Sequence, residues 1–104
     1  MDFKKKIIVA LDTIDTNEAL RITKLIPNVA AFKLGLEYFC ANGPKGISKI
    51  SETGIKIFLD LKFHDIPNTV AGAIKASLDL EPFMMTVHLS GGYNMLHRTM
   101  EEVK

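Results

Sequence analysis

Apolar residues along this chain come in short blocks, separated by stretches with helical spacing. The blocks are Ile7-Ile8-Val9-Ala10-Leu11, Val29-Ala30-Ala31-Phe32, Ile55-Lys56-Ile57-Phe58-Leu59 and Phe83-Met84-Met85-Thr86-Val87. Each is apolar almost throughout rather than alternating, the pattern of strands covered on both faces. Between them, residues 16–26 place Ala19, Ile22 and Ile26 at helical spacing, with Asp15 and Glu18 as capping candidates. Residues 36–53 predict a helix broken at Gly43-Pro44. Residues 67–78 put Val70, Ala73, Ile74, Ser77 and Leu78 on one face, and Pro67 suits a first helical turn. After Gly91-Gly92 a last helix is predicted over 93–103.

The predicted order is βαβαβαβα, which implies a parallel sheet with helices packed on it. Right-handed crossovers leave two architectures: a doubly wound open sheet, or part of a (β/α)8 barrel. No linker or low-complexity segment interrupts the chain, so residues 1–104 read as one domain.

Composition narrows the function classes. The chain has 104 residues, 47% hydrophobic and 24% charged, the balance of an ordinary soluble globular domain. The net charge of +1 argues against a nucleic-acid partner, which needs a clustered basic face. Lys4-Lys5-Lys6 reads as a solvated start to the first strand. No apolar run approaches the ~20 residues of a membrane span, and no leader-like apolar core follows the charged start. Cys40 is the single cysteine, so no internal disulfide forms and a reducing cytoplasm is the expected setting. Within Leu36-Glu37-Tyr38-Phe39-Cys40-Ala41 it reads as a small buried hydrophobe rather than a nucleophile.

Each predicted strand ends in a polar or charged residue: Asp12, Lys33, Asp60 and His88. In parallel α/β folds the carboxyl ends of the strands carry the site. The densest stretch is Asp60-Leu61-Lys62-Phe63-His64-Asp65-Ile66-Pro67-Asn68-Thr69. Strand alternation puts Asp60 and Lys62 on one face, and Leu59 and Leu61 on the other, toward the helices. Unpaired buried charges cost several kcal/mol, so the charges need a reason to be there. A structural ion pair accounts for Asp60 with Lys62 but not for Asp65 and Lys33. A catalytic array accounts for all four. His64 has no partner at metal-ligand spacing and reads as an exposed loop histidine, and no metal site is expected.

The segment Asp60-Leu61-Lys62-Phe63-His64-Asp65-Ile66-Pro67-Asn68-Thr69-Val70 resembles the signature of orotidine 5'-phosphate decarboxylases. Val9-Ala10-Leu11-Asp12, Phe32-Lys33-Leu34-Gly35 and Val87-His88-Leu89-Ser90-Gly91-Gly92 agree with that family in order and spacing. The DxKxxD core is shared with related sugar-phosphate decarboxylases and formaldehyde-fixing synthases. The Ile66-Pro67-Asn68-Thr69 continuation favours the orotidylate branch.

The resemblance implies a fold, half of a (β/α)8 barrel with four βα units and parallel strands. It implies an activity, the conversion of orotidine 5'-phosphate to UMP and carbon dioxide in pyrimidine biosynthesis, without metal or cofactor. Lys33, Asp60, Lys62 and Asp65 would form an alternating charged array. Lys62 would be the general acid, and Asp60 would sit near the substrate carboxylate. Lys33 and Asp12 would bind ribose hydroxyls, and Asp65 and Thr69 would reach across a homodimer interface. His88 falls in a family motif and is carried as a substrate-binding candidate. A whole barrel of this kind takes about 200–250 residues. The family's phosphate grip and pyrimidine-recognition serine lie in its later loops, so weak or no activity is expected of this chain alone. Edge-to-edge oligomers, or a C-terminal half in trans, are the expected partners. The alternatives are a non-catalytic oligomerising remnant, one half of a split enzyme, and a sugar-phosphate decarboxylase of the same superfamily.

Overall fold

Four strands and four helices alternate along the chain in a computed structural model that describes residues 3–104. The strands are β1 (Ile8–Ala10), β2 (Ala31–Gly35), β3 (Ile57–Phe63) and β4 (Met84–Val87), all parallel. The helices are α1 (Thr16–Leu25), α2 (Leu36–Ser51), α3 (Pro67–Ser77) and α4 (Tyr93–Glu102). Spatial order follows chain order, β1-β2-β3-β4. A doubly wound sheet reverses direction at a switch point. Sequential order is instead the arrangement of a (β/α)8 barrel wall, and it decides between the two architectures left open by the sequence.

The register explains the two faces of the sheet. Val9 pairs with Phe32, Phe32 with Ile57, and Leu34 with Leu59. Their side chains join Ala19 of α1 and Tyr38, Ile47 and Ile50 of α2 in the main core. A second cluster packs Val70 and Ile74 of α3 against Met95 of α4, with Met85 and Val87 beneath. The intervening row, Ala10, Lys33, Phe58 and Met84, lies on the opposite face. Among the described residues, β1 and β4 each pair along one edge only. Ile8, Phe83 and Met84 are exposed beside those edges.

Local chemistry sets the helix boundaries. The Asp15 side chain caps α1 by accepting from the N–H groups of Asn17 and Glu18. Pro67 occupies the first turn of α3. Gly43 kinks α2 with φ 67°, a conformation glycine adopts without a Cβ clash, and Pro44 follows it. That kink is the break expected at Gly43-Pro44.

Two expectations need correction. The charged residues do not end their strands. Lys33 lies in the middle of β2 and Asp60 inside β3, because the ladders run on through Gly35 and Phe63. A charge stops a strand only if its side chain must leave the sheet, and both of these point to a face that helices do not cover. Cys40 is exposed rather than buried. It falls on the outer side of α2, while Tyr38, Ile47 and Ile50 take the inner side. The 3₁₀ turn Phe3–Lys6 is exposed, as expected for the basic run.

Candidate active site

The site forms where the carboxyl ends of β2 and β3 meet the loop after β1. Asp60 is its centre, only 6% exposed. Gly35 of β2 is its register partner, and Leu59 and Leu61 on either side are buried in the helical core. Alternation therefore holds the carboxylate on the uncovered face while its neighbours anchor the strand.

Both ammonium groups converge on a single carboxylate oxygen. Lys62 Nζ lies 2.7 Å from Asp60 Oδ2, and Lys33 Nζ lies 3.5 Å from the same atom. The other oxygen, Oδ1, accepts a 2.7 Å hydrogen bond from the Thr86 hydroxyl. Burial pushes the Asp60 carboxyl upward. The hydrogen bonds from Lys62 and Thr86, together with the charges of Lys62 and Lys33, outweigh burial and leave it below the ordinary aspartate value. The group is a carboxylate at neutral pH with both lone-pair regions engaged.

Lys62 is reached through a distortion of β3. Leu59 pairs with Met85 and Phe63 with Val87, so four residue steps on β3 face two on β4. Lys62 lies inside this bulge with φ 53°, the left-handed region that is costly for a residue with a Cβ. Such strain, about 1–3 kcal/mol, persists where the surroundings over-determine it. Bulges re-aim side chains next to active sites. The Lys62 side chain is 61% exposed, so its ammonium faces solvent while bonded to the buried carboxylate.

A cavity of about 160 Å³ opens beside the cluster. Asp12, Thr13, Lys33, Glu37, Asp60 and Lys62 contribute to its lining. Asp12 thus lines the same cavity as Lys33, Asp60 and Lys62. Two side-chain hydrogen bonds from α2 brace the floor, one buried and one exposed. Tyr38 donates through its hydroxyl to the Gly46 carbonyl at 2.8 Å, and the Asn42 amide donates to the Ile14 carbonyl at 2.8 Å. The Asn42 bond ties the loop carrying Asp12 to α2, and the Tyr38 bond spans the Gly43 kink within α2.

Three expected site residues lie elsewhere. Asp65 is exposed and accepts from the Ile66 N–H at 2.7 Å. Among the described residues it makes no ion pair with Lys62. Thr69 is exposed on the first turn of α3. His88 stacks on His64, ring centroids 4.9 Å apart, so the loop histidine has a ring partner that sequence distance concealed. Among the described residues no group of three or more histidines, cysteines or carboxylates could hold a metal ion.

Thr86 is the contact that sequence reasoning missed. It sits inside an apolar block and carries no charge. Its only signal was a hydroxyl two residues before His88, on the uncovered face of β4.

Comparison with known proteins bears on this geometry. Residues 5–104 match the family described as "Orotidine 5'-phosphate decarboxylase / HUMPS family". The orotidine 5'-phosphate decarboxylase of Ehrlichia chaffeensis is 49% identical over 102 residues, which is 97% of this chain and 44% of that protein. That of Syntrophomonas wolfei is 46% identical, with 100% and 44% covered. The crystal structure of the Lactobacillus acidophilus enzyme superposes with a TM-score of 0.84 at 38% identity, covering 92% of this chain and 44% of that one. The chain therefore spans somewhat under half the length of these relatives. No helix among the described residues is long and apolar enough to cross a membrane.

Proposed function

The chain belongs to the orotidine 5'-phosphate decarboxylase / HUMPS family, and from that premise we propose that it is the N-terminal half-barrel domain of an enzyme converting orotidine 5'-phosphate to UMP and carbon dioxide. The observation that carries this reading is the convergence of two ammonium groups on one oxygen of a buried carboxylate, beside a cavity at the carboxyl end of the sheet.

The reaction breaks the bond between C6 of the pyrimidine and its carboxylate. The electron pair stays on C6, carbon dioxide leaves, and a proton must reach C6. Lys62 is assigned the proton transfer because its ammonium is both held by Asp60 and open to solvent. The ammonium also stabilises negative charge as it develops at C6, the largest kind of contribution a fixed charge makes. Asp60 sits where the substrate carboxylate would approach, disfavouring the ground state and holding both lysines in place. Lys33 and Asp12, on the cavity lining, are assigned the ribose hydroxyls. Fixed charges do this work without a cofactor. Asp65 and Thr69, exposed and outside the cavity, suit a role in the neighbouring subunit of a homodimer. His88 remains a substrate-binding candidate at the end of β4. The setting proposed is the cytoplasm, and the pathway is pyrimidine biosynthesis.

A second reading is an oligomerising module without catalysis, favoured by the two strand edges paired on one side only. Titrating the ¹⁵N-labelled chain with UMP separates the two. The decarboxylase reading expects shifts concentrated at residues 12, 33, 60 and 62, with weak affinity. The second reading expects no saturable shift with either UMP or orotidine 5'-phosphate.

A further inference from the structure

Thr86 has a bonding pattern that neither the charged array nor the fold requires. Its hydroxyl donates to Asp60 Oδ1 at 2.7 Å and accepts from the Lys62 main-chain N–H at 3.0 Å. One small side chain on β4 therefore holds the side chain of Asp60 and the backbone of Lys62 together. It does so inside the bulge, where β3 and β4 are out of step and Lys62 has φ 53°. In a regular parallel ladder the Lys62 N–H would donate to a strand carbonyl. Here the Thr86 oxygen takes that place, so the bulge keeps its donor satisfied while Lys62 turns toward Asp60.

From this geometry we infer that Thr86 is a positioning residue of the site: its hydroxyl fixes the rotation of the Asp60 carboxylate and pins the strained Lys62 backbone, so that both charges keep one orientation toward the substrate. The catalytic part of the inference rests on the decarboxylase reading; the structural part does not. The two ammoniums occupy Oδ2 alone. Without the Thr86 hydroxyl, Oδ1 of a nearly buried carboxylate has no donor, and the carboxylate is free to swing. Loss of the second bond releases the hydrogen bond that links Lys62 to β4 in the bulge. Thr86 is not itself on the cavity lining and acts through Asp60 and Lys62, which are.

The test uses two substitutions of the full chain. Thr86→Val keeps the branched shape and removes the hydroxyl; Thr86→Ser keeps the hydroxyl. Carboxyl-carbon NMR of Asp60 is followed against pH in each. The expected result is an upward shift of the Asp60 titration in Thr86→Val and a near wild-type value in Thr86→Ser. Turnover is then read with the chain combined with the second half of a relative's chain. A hydrogen bond to a charged group sets the scale: kcat falls by about 10- to 100-fold in Thr86→Val and recovers in Thr86→Ser. KM changes far less, since ground-state contacts are left intact. An Asp60 titration unmoved by Thr86→Val overturns the inference, whatever the kinetics. Equal kcat in wild type and Thr86→Val overturns its catalytic part. A shifted titration with no turnover from the wild type overturns the decarboxylase reading and leaves the hold on Asp60 standing.

Discussion

Neutralising Asp60 isolates the electrostatics at the centre of the site. Asp60→Asn keeps the shape and removes the charge that two ammoniums share at 2.7 and 3.5 Å. At an effective dielectric of ~20, unit charges at these separations attract by about 6 and about 5 kcal/mol before solvent competes. Water does compete: the Lys62 and Lys33 side chains are 61% and 31% exposed. Exposed pairs contribute about 0–1 kcal/mol each, whereas breaking a fully buried pair costs about 3–5 kcal/mol. The neutralised member here is the buried one, and the two lysines left behind repel. The expected loss is therefore about 1–3 kcal/mol at pH 7. The pH dependence has a definite sign. The folded carboxyl titrates below its unfolded value, so its contribution is complete above the unfolded aspartate pKa of about 3.9 and disappears as pH falls through the lowered folded value. Urea unfolding of both chains, at one protein concentration, should show the deficit at pH 7 and a smaller one once the pH is well below the unfolded aspartate value. A substituted chain as stable as wild type at pH 7, or a deficit of the same size at both pH values, would refute the argument.

Tyr38→Phe should cost about 1–3 kcal/mol in urea unfolding, because the buried Gly46 carbonyl loses its 2.8 Å side-chain donor; an unchanged midpoint would show that this bond does not hold the α2 kink. The chain expressed alone should associate, since the edges of β1 and β4 lie beside exposed Ile8, Phe83 and Met84. Light scattering that finds a compact monomer at micromolar concentration would contradict this.

Much of the architecture was legible in the apolar blocks and the helical spacing between them. Local signals with a one-residue mechanism carried over directly: the Asp15 cap, the Gly43-Pro44 kink, and Pro67 at the start of α3. Strand ends did not. Lys33 and Asp60 look like terminators in a one-dimensional pattern, yet their side chains leave by a face that helices do not cover while the backbone ladder continues. Cys40 was misplaced for a related reason, since residue type alone does not say which side of α2 it takes. The grouping of Asp12, Lys33, Asp60 and Lys62 could be expected from motif and alternation together. The bulge could not. It depends on the mismatch between β3 and β4, and on Thr86 lending a side-chain oxygen to the Lys62 N–H. The His64–His88 stack is likewise a contact between two loops, invisible until the strands are placed side by side.

Formation of UMP from orotidine 5'-phosphate tests the central claim most directly. The chain is combined with the second half of a relative's chain, and wild type is compared with Lys62→Ala. Product from the wild type, with a loss of at least about 100-fold in Lys62→Ala, is the predicted result for removal of a general acid. No product from the wild type, or comparable turnover with alanine at position 62, would contradict the assignment.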